Sequence, residues 1–408
     1  MERFLNDSFS KKGSDYNEFK KICRKMSEQT HILRCTTGET EFISHCSIEE
    51  QQKDGRTPFF VLREEYIDKF LKFGRLTTVG TIKNTEFYPE LLEELINTTG
   101  LIMNQNGFKY LISDLSLFTL LKQCSLGGTE GRKKSSLIRN MHIAEAAYDK
   151  NILTSFVYRE ELNAEGMPIR KIFGALGGYY RYIPQDIIVD VIDKMMTKNE
   201  LTVNNWEVNH EFTEIRVSFK EYGFKIGERE FYPGILIKTS DIGASMLYVR
   251  LVLNTSDDYV VLDEVCYKHN SNNTTAEDLL KDVEEFIPNM KDFREKIQLL
   301  AGKTIDVSKN KNNYTVVTGI VKYLAEKRIK KELSKKRYDN VISCITDDIL
   351  STKQYNFAEI CAIFFAIPEK EASKLNEVPL LELRKNIGTL PYVLSDEKVM
   401  NYLKDNFM

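Results

Sequence analysis

Apolar and polar residues alternate along the middle of the chain. In "EFTEIRVSFK", Ile215, Val217 and Phe219 take every second position, which is the period of a strand with one buried face. The stretch "LYVRLVLN", residues 247–254, alternates in the same way. Similar segments joined by turn-forming residues recur between residues 151 and 272, so we predict a mostly antiparallel sheet there.

Helical spacing replaces this alternation on both sides. "YPELLEELINTTG" has Pro89 in a predicted first turn, acidic residues behind it and Gly100 at its end. Towards the C-terminus, Thr275 is a predicted N-cap with Asp278 three residues later, at the start of a long helical segment. These patterns predict helical regions before and after the sheet.

The predicted fold is therefore α+β: a central, mostly antiparallel sheet with one helix, flanked by N- and C-terminal helical regions. The central helix is "PQDIIVDVIDKMM", entered through Pro184. At 408 residues, the chain exceeds the size at which a single core stops growing. We therefore expect three regions: a mainly helical 1–150, a sheet-forming 151–272 and a helical 273–408.

Composition and charge exclude several classes of protein. Apolar residues make up 42% of the chain and the formal net charge is −3, so the surface as a whole is not a basic coat for nucleic acid. No run approaches the roughly 18 apolar residues of a membrane span, and we expect no membrane partner. Seven widely spread cysteines fit reduced thiols in a cytoplasm.

Two segments with the composition of a ligand site lack the required spacing. "GGTEGRKKSS", residues 127–136, has three residues between Gly127 and Gly131, where a phosphate-binding loop has four. Residues 23–46 hold three cysteines and two histidines but no close pair of the kind that binds zinc. We therefore expect no cofactor and no metal.

Paired acidic residues provide the strongest argument for an enzyme. Asp258 begins the predicted strand of "DYVVLDEVCY", and Asp263 and Glu264 end it. Acidic residues at strand ends hold magnesium in metal-dependent nucleases, but turn-forming acids in solvent are the simpler interpretation. Because no further catalytic set accompanies them, an enzyme is the less favoured class and a nuclease ranks third among our hypotheses.

The densest positive charge lies between residues 322 and 337. Eight basic side chains there accompany two acidic ones, a net charge of +6. The spacing predicts a helix with basic residues all round, so its middle projects into solvent. A merely solvated helix face is the alternative to a nucleic-acid contact. Such cations can neutralise nucleic-acid phosphates. The residues assigned to this contact are Lys327, Arg328, Lys330, Lys331, Lys335, Lys336 and Arg337.

A second candidate contact is aromatic. In "GGYYRYIP", two glycines precede a run of tyrosines with one arginine, which can stack on single-stranded bases. Packing of the tyrosines at the edge of a domain is the alternative. The residues concerned are Tyr179, Tyr180, Arg181 and Tyr182.

Segments between residues 150 and 300 resemble a known family. "GGYYRYIPQDIIVDVIDKMM", "FYPGILIKTSDIGASMLYVRLVLN" and "VCYKHNSN" are similar to the phage- and plasmid-borne family called domain of unknown function 932. Its motifs match the chain at Tyr180, Ser240 to Ser245, Arg250, Asn254 and His269. The resemblance implies a mobile-element or phage product in a bacterial cytoplasm, without an established reaction.

The same segments contain a candidate ligand loop. Four side chains lie on the loop, or on the strand face opposite the apolar one, where a ligand would be met: Ser240, Ser245, Tyr248 and Arg250.

Three hypotheses of function follow from these residues. The first is a non-enzymatic phage or mobile-element protein that binds single-stranded DNA, or anneals it, in replication or recombination. The alternative is a phage protein that acts by contact with a host or virion protein, as a virion component or an anti-defence inhibitor. The metal-dependent nuclease is the third. For a strand-coating protein we expect a homo-oligomer.

Overall fold

Fourteen strands lie in the part of the chain that the computed structural model describes, which is residues 4–44, 76–78, 87–127, 136–255, 258–269, 274–305, 313–349 and 355–408. They are β1 (Ser10–Gly13), β2 (Thr30–Thr36), β3 (Glu41–Ser44), β4 (Leu76–Thr78), β5 (Leu101–Gln105), β6 (Phe108–Ile112), β7 (Leu153–Leu162), β8 (Pro168–Gly177), β9 (Leu201–Asn209), β10 (Thr213–Phe219), β11 (Phe224–Ile226), β12 (Arg229–Thr239), β13 (Leu247–Asn254) and β14 (Tyr259–Tyr267).

The α-helices in the same residues lie among and after these strands along the chain. They are α1 (Tyr16–Gln29), α2 (Pro89–Asn97), α3 (Asp114–Gln123), α4 (Ser136–Lys150), α5 (Ile187–Lys198), α6 (Ala276–Ala301), α7 (Asn313–Arg328), α8 (Lys335–Asp348), α9 (Phe357–Phe365), α10 (Ile367–Glu371), α11 (Glu377–Gly388), α12 (Leu390–Ser395) and α13 (Glu397–Phe407). Among the helices described, none has the length and apolar content needed to cross a membrane.

The strands form two sheets. Sheet I has the order β2-β7-β8-β6-β5-β3-β4, and sheet II has the order β1-β9-β10-β12-β13-β14, with β11 paired to β12. Every pair is antiparallel except β3–β4 and β6–β8. The α+β class and the mostly antiparallel pairing are confirmed, but the strands predicted as one central sheet are divided between two.

The N-terminal region contributes strands to both sheets. Strand β1 pairs with β9 in sheet II, and β2 pairs with β7 in sheet I. The boundary predicted at residue 150 therefore falls within a sheet, because antiparallel pairing joins strands that are far apart in sequence. Sequence patterns indicate where each strand lies but not which strands pair with each other.

Two local helix signals were accurate. Helix α2 begins at Pro89, as the sequence predicts. Thr275 caps α6: its hydroxyl accepts a hydrogen bond from the Asp278 amide at 3.2 Å, and the Asp278 carboxylate accepts one from the Thr275 amide at 2.9 Å. This reciprocal arrangement is a capping box in which Asp replaces the usual Glu or Gln.

Sheet I has a core on each face. On one face, residues such as Phe156 and Met103 pack with α3 and α4. On the other, residues such as Val157 and Phe173 pack with α2 and with Ile242, which follows β12 of sheet II. Ile242 thereby connects the two sheets through apolar contact.

Sheet II buries its apolar face as the alternation predicts. Ile215, Val217 and Phe219 are fully buried and pack, together with Leu247 and other residues of β13, against α1, α5 and α6. The C-terminal helices α7 to α13 form a separate core with the end of α6. The opposite, polar face of sheet II is covered by α10 and α11, and this covering creates the site described next.

Candidate functional site

The polar face of sheet II presents charged side chains on neighbouring strands. Arg216 of β10 lies opposite Leu236 of β12, which lies opposite Arg250 of β13. One row along, Glu214 of β10 lies opposite Lys238 of β12. Because alternate residues of a strand share a face, the buried apolar set on the other side forces these polar residues together.

A cavity of about 480 Å³ lies between this face and helices α10 and α11. We call it the sheet cavity. Its charged and aromatic lining includes Glu214, Arg216, Lys238, Arg250, Tyr259 and Arg384. Because ionisable groups with perturbed pKa values are concentrated in functional clefts, this cavity is a candidate ligand site.

Ion pairs join the sheet to α11 around the cavity. Lys238 Nζ lies 2.5 Å from a carboxylate oxygen of Glu377 and 3.8 Å from one of Glu214. Arg384 Nη2 donates to Asp258 Oδ1 at 2.6 Å. These pairs hold α11 over the sheet and define the walls of the cavity.

Glu264 is shared between two cations. Its carboxylate accepts a hydrogen bond from Arg250 Nε and lies 3.0 Å from Lys385 Nζ. Burial raises the pKa of Glu264, but the hydrogen bonds from Arg250 and Lys385 outweigh it and lower the pKa overall. The Glu264 carboxylate is therefore ionised and already occupied by protein cations.

Two guanidinium groups converge on the ring of Tyr259. The Cζ atoms of Arg384 and Arg216 lie 4.1 and 5.2 Å from the ring centroid. Burial raises the pKa of Tyr259 to about 12, and the nearby Arg384 opposes this shift. The phenol therefore stays neutral and serves as a cation–π platform.

Burial also changes the protonation of the cavity's own groups. It raises the pKa of Glu214, which outweighs the attraction of Lys238, and it lowers the pKa of Arg216. By contrast, the hydrogen bond from Lys238 lowers the pKa of Glu377. Perturbed ionisation of this kind is concentrated in functional sites.

The structure separates the four residues of the predicted ligand loop. Arg250 lines the sheet cavity, and its guanidinium lies 4.5 Å from the ring of Tyr248. Ser240 and Ser245 instead lie in the loop after β12, where the Ser240 hydroxyl accepts a hydrogen bond from the Ala244 amide at 3.0 Å. The loop and the strand face thus belong to different surfaces.

The segments that carry the family resemblance do meet in space. The ring of Tyr180 stacks on His269 with centroids 5.1 Å apart, and its hydroxyl donates to the Asp241 carbonyl at 2.9 Å. His269 Nε2 lies 3.0 Å from the Ser245 carbonyl. Asn254 is separate and bonds to the β10 backbone at Val217.

The tyrosine run is only partly available for stacking. Tyr179 is 88% exposed and borders a shallow depression with Lys268, and Arg181 is exposed. Tyr180 and Tyr182 are half-buried, and burial raises the pKa of both hydroxyls. Within this run of tyrosines, Tyr179 is the one that presents an open aromatic face.

The basic segment is not one continuous helix. Helix α7 ends at Arg328 and α8 begins at Lys335, so residues 327–337 form what we call the basic turn. Buried Ile329 and Leu333 anchor it to the C-terminal core. After Arg328 the backbone bonding changes: the Lys330 amide donates to the Ala325 carbonyl, five residues back, and the Glu332 amide donates to the Ile329 carbonyl, three residues back.

The cations of the basic turn face solvent. Lys327, Lys330, Lys331, Lys335 and Lys336 are exposed, and Arg328 and Arg337 are half-exposed. Among the described residues, only Lys330 has a carboxylate within salt-bridge distance, that of Glu326 at 2.7 Å. The predicted projection into solvent is therefore present, at the end of α7, at the start of α8 and in the residues between them instead of along one helix.

The acidic pair of the nuclease hypothesis does not converge. Asp263 and Glu264 are neighbours on β14 and point to opposite faces, and they lie within the strand instead of at its end. Asp263 accepts a hydrogen bond from Asn289 at 3.2 Å. The described residues contain no group of three or more acidic, His or Cys side chains placed to hold a metal.

The rejected motifs are also dispersed. Cys23 lies in the core of sheet II and Cys35 in a core of sheet I. His45, Cys46 and residues 128–135 lie outside the described residues.

Sequence analysis did not identify several residues that line the sheet cavity. Lys238 follows Leu236 with period two, so the alternation of β12 was a usable signal. Glu377 and Arg384 belong to a helix more than a hundred residues away, and no local pattern indicates where that helix packs.

Comparisons with protein-family models, curated proteins and solved structures found no match to this chain.

Proposed function

We propose that the protein binds nucleic acid without an enzymatic reaction, and that the basic turn is its contact. The observation that supports this proposal is the group of exposed lysines in residues 327–337, of which only Lys330 has a carboxylate partner among the described residues. Mutual repulsion makes such a cluster unfavourable by itself, whereas contact with nucleic acid is favourable, because each phosphate that a lysine neutralises releases a condensed counterion.

The position of three of these cations strengthens the argument. Lys335, Lys336 and Arg337 occupy the first turn of α8, where the helix dipole disfavours positive charge by about 0.3–1 kcal/mol each. The N-cap residue, Ser334, makes no side-chain capping hydrogen bond. Free amides beside cations suit an anion such as a phosphate.

The proposed ligand is a single strand, with the protein acting as a strand-coating or annealing factor. Exposed Tyr179 supplies a stacking face of the kind that single-strand binders use. In line with the family resemblance, we place this activity in a phage or mobile-element context within a bacterial cytoplasm, and with it a homo-oligomer.

Fluorescence anisotropy with labelled single- and double-stranded oligonucleotides at 50 and 200 mM salt tests the proposal. Each neutralised phosphate contributes about 0.7 to the slope of log affinity against log salt for single strands. Four contacts therefore predict a loss of about fifty-fold between the two salt concentrations. The variant that removes them combines K327A, K331A, K335A and K336A, and we expect its slope to fall by up to about 2.8.

A matched control removes the same charge elsewhere. It replaces four lysines whose side chains are 45–68% exposed and paired with glutamates, namely Lys194, Lys198, Lys220 and Lys225. We expect this variant to bind like the wild type. Absence of binding at 50 mM salt, or equal losses in both quadruple variants, would overturn the proposal.

A further inference from the structure

The sheet cavity has no part in the proposed nucleic-acid contact, and its chemistry is different. Its volume of about 480 Å³ lies within the range of small-molecule sites, about 300–1,000 Å³. Its walls come from strands β9, β10, β12, β13 and β14 of sheet II and from helices α10 and α11. A longer nucleic-acid strand does not fit a cleft of this size, but a small metabolite does.

The sheet supplies three buried cations to this cavity. Arg216, Lys238 and Arg250 are 5%, 7% and 4% exposed. They lie on three adjacent strands, and the register places Arg216 and Arg250 two strands apart in one row, about 10 Å between Cα atoms. Arginine and lysine side chains from these positions can reach one anion between them.

The carboxylates around them already pair with cations of the cavity walls, Glu377 with Lys238 and Glu264 with Arg250. Glu264 serves both Arg250 and Lys385, so one anion is shared by two cations. Asp258 gives one oxygen to Arg384. Its second oxygen, Oδ2, is buried and accepts no hydrogen bond within the described residues. Buried polar atoms of this kind usually have a partner, so a donor is expected there.

We infer that the sheet cavity binds a small oxyanion, a carboxylate or phosphate, carried on a hydroxyl-bearing body. Arg216, Lys238 and Arg250 receive the oxyanion, and Asp258 accepts a hydrogen bond from a hydroxyl. Bidentate guanidinium contacts match the geometry of both oxyanions. The ion pairs with α11 explain how that helix is held on the sheet. They do not explain why a cavity remains between the charged side chains.

Isothermal titration calorimetry on the full chain tests this inference with ribose 5-phosphate, inorganic phosphate and citrate as probes. Uncharged ribose is the control for the hydroxyl-bearing body. We expect at least one oxyanion to bind with one site per chain and to raise the thermal unfolding midpoint, while ribose does neither. Comparison of the phosphates with citrate distinguishes the two oxyanion classes.

Two variants locate the site. In K238Q we expect affinity about tenfold weaker, because one charged hydrogen bond is lost. In A372W, a bulky ring replaces an exposed residue of the cavity lining without removing any charge, and we expect binding to be abolished. K225Q removes an exposed, ion-paired lysine of β11 and should bind like the wild type.

Three results would overturn the inference. They are absence of binding by every oxyanion, binding that survives A372W, and an equal weakening in K225Q and K238Q. The alanine at position 372 is exposed, so A372W is expected to fold even if K238Q loosens α11. Replacement of the basic-turn lysines should leave these titrations unchanged, which keeps the result independent of the proposed nucleic-acid contact.

Discussion

A buried ion pair connects the two sheets and allows a quantitative prediction. Arg159 of β7 donates from Nη2 to Asp241 Oδ2 at 2.8 Å, and the two side chains are 1% and 0% exposed. A second guanidinium nitrogen donates to Nδ1 of His210, whose Nε2 donates to the Asn6 carbonyl at 2.7 Å. The ring of Phe173 lies 4.7 Å from the guanidinium carbon and excludes water from it.

The perturbation is D241N, which keeps the shape of the side chain and removes its charge. The Arg159 guanidinium then stays buried without a counterion, a loss that costs about 3–5 kcal/mol. Asparagine retains one acceptor, so we expect a decrease of about 3 kcal/mol in the free energy of unfolding. With an m-value of about 3 kcal/mol/M or more, the urea midpoint falls by up to about 1 M.

A double-mutant cycle separates lost pairing from lost packing. R159M on top of D241N removes both charges, so the double variant should be more stable than the sum of the two single losses predicts, by about 1–3 kcal/mol. Urea unfolding followed by circular dichroism provides all four values. K198A, in a pair whose side chains are 62% and 53% exposed, is the control and should change stability by less than about 1 kcal/mol. A cost of D241N below about 0.5 kcal/mol, or additive losses, would refute the reasoning.

The remaining predictions concern one close contact, one exposed ring and two histidines. In G388A, the added Cβ would lie 2.0 Å from the Val261 carbonyl oxygen, so α11 must shift from the sheet and urea unfolding should show a loss of about 1–3 kcal/mol; an unchanged midpoint contradicts this. Y179A should keep stability within about 0.5 kcal/mol but weaken single-strand binding by about 1–3 kcal/mol in anisotropy, and unchanged affinity would exclude stacking there. Burial lowers the pKa of His210 and of His269, so the unfolded chain binds protons that the folded chain does not. The unfolding free energy should therefore fall from pH 7 to pH 5, by up to about 1.4 kcal/mol per pH unit for each histidine below a pKa of about 6.5, and a flat profile would contradict this.

Sequence patterns predicted the local structure of the strands and helices well. The alternation at Ile215, Val217 and Phe219 correctly identified the buried face of β10, and Thr275 correctly identified the start of α6. Both signals depend on neighbours within a few residues, where backbone geometry alone sets the period or satisfies the free amides. The single helix predicted through residues 322–337 was wrong, because the structure divides this segment between the end of α7, the start of α8 and the residues between them.

The candidate site also has a part that local sequence patterns predicted and a part that only the tertiary structure decided. By itself, the sequence determined that Arg250 lies opposite the apolar face of its strand and that the lysines of residues 327–337 are concentrated on one surface segment. Only the tertiary structure decided that Arg250 faces a cavity closed by α11, and that Ser240 and Ser245 do not. Side-chain direction follows from a two-residue period, whereas the partner of a face depends on which distant element buries the most apolar surface against it.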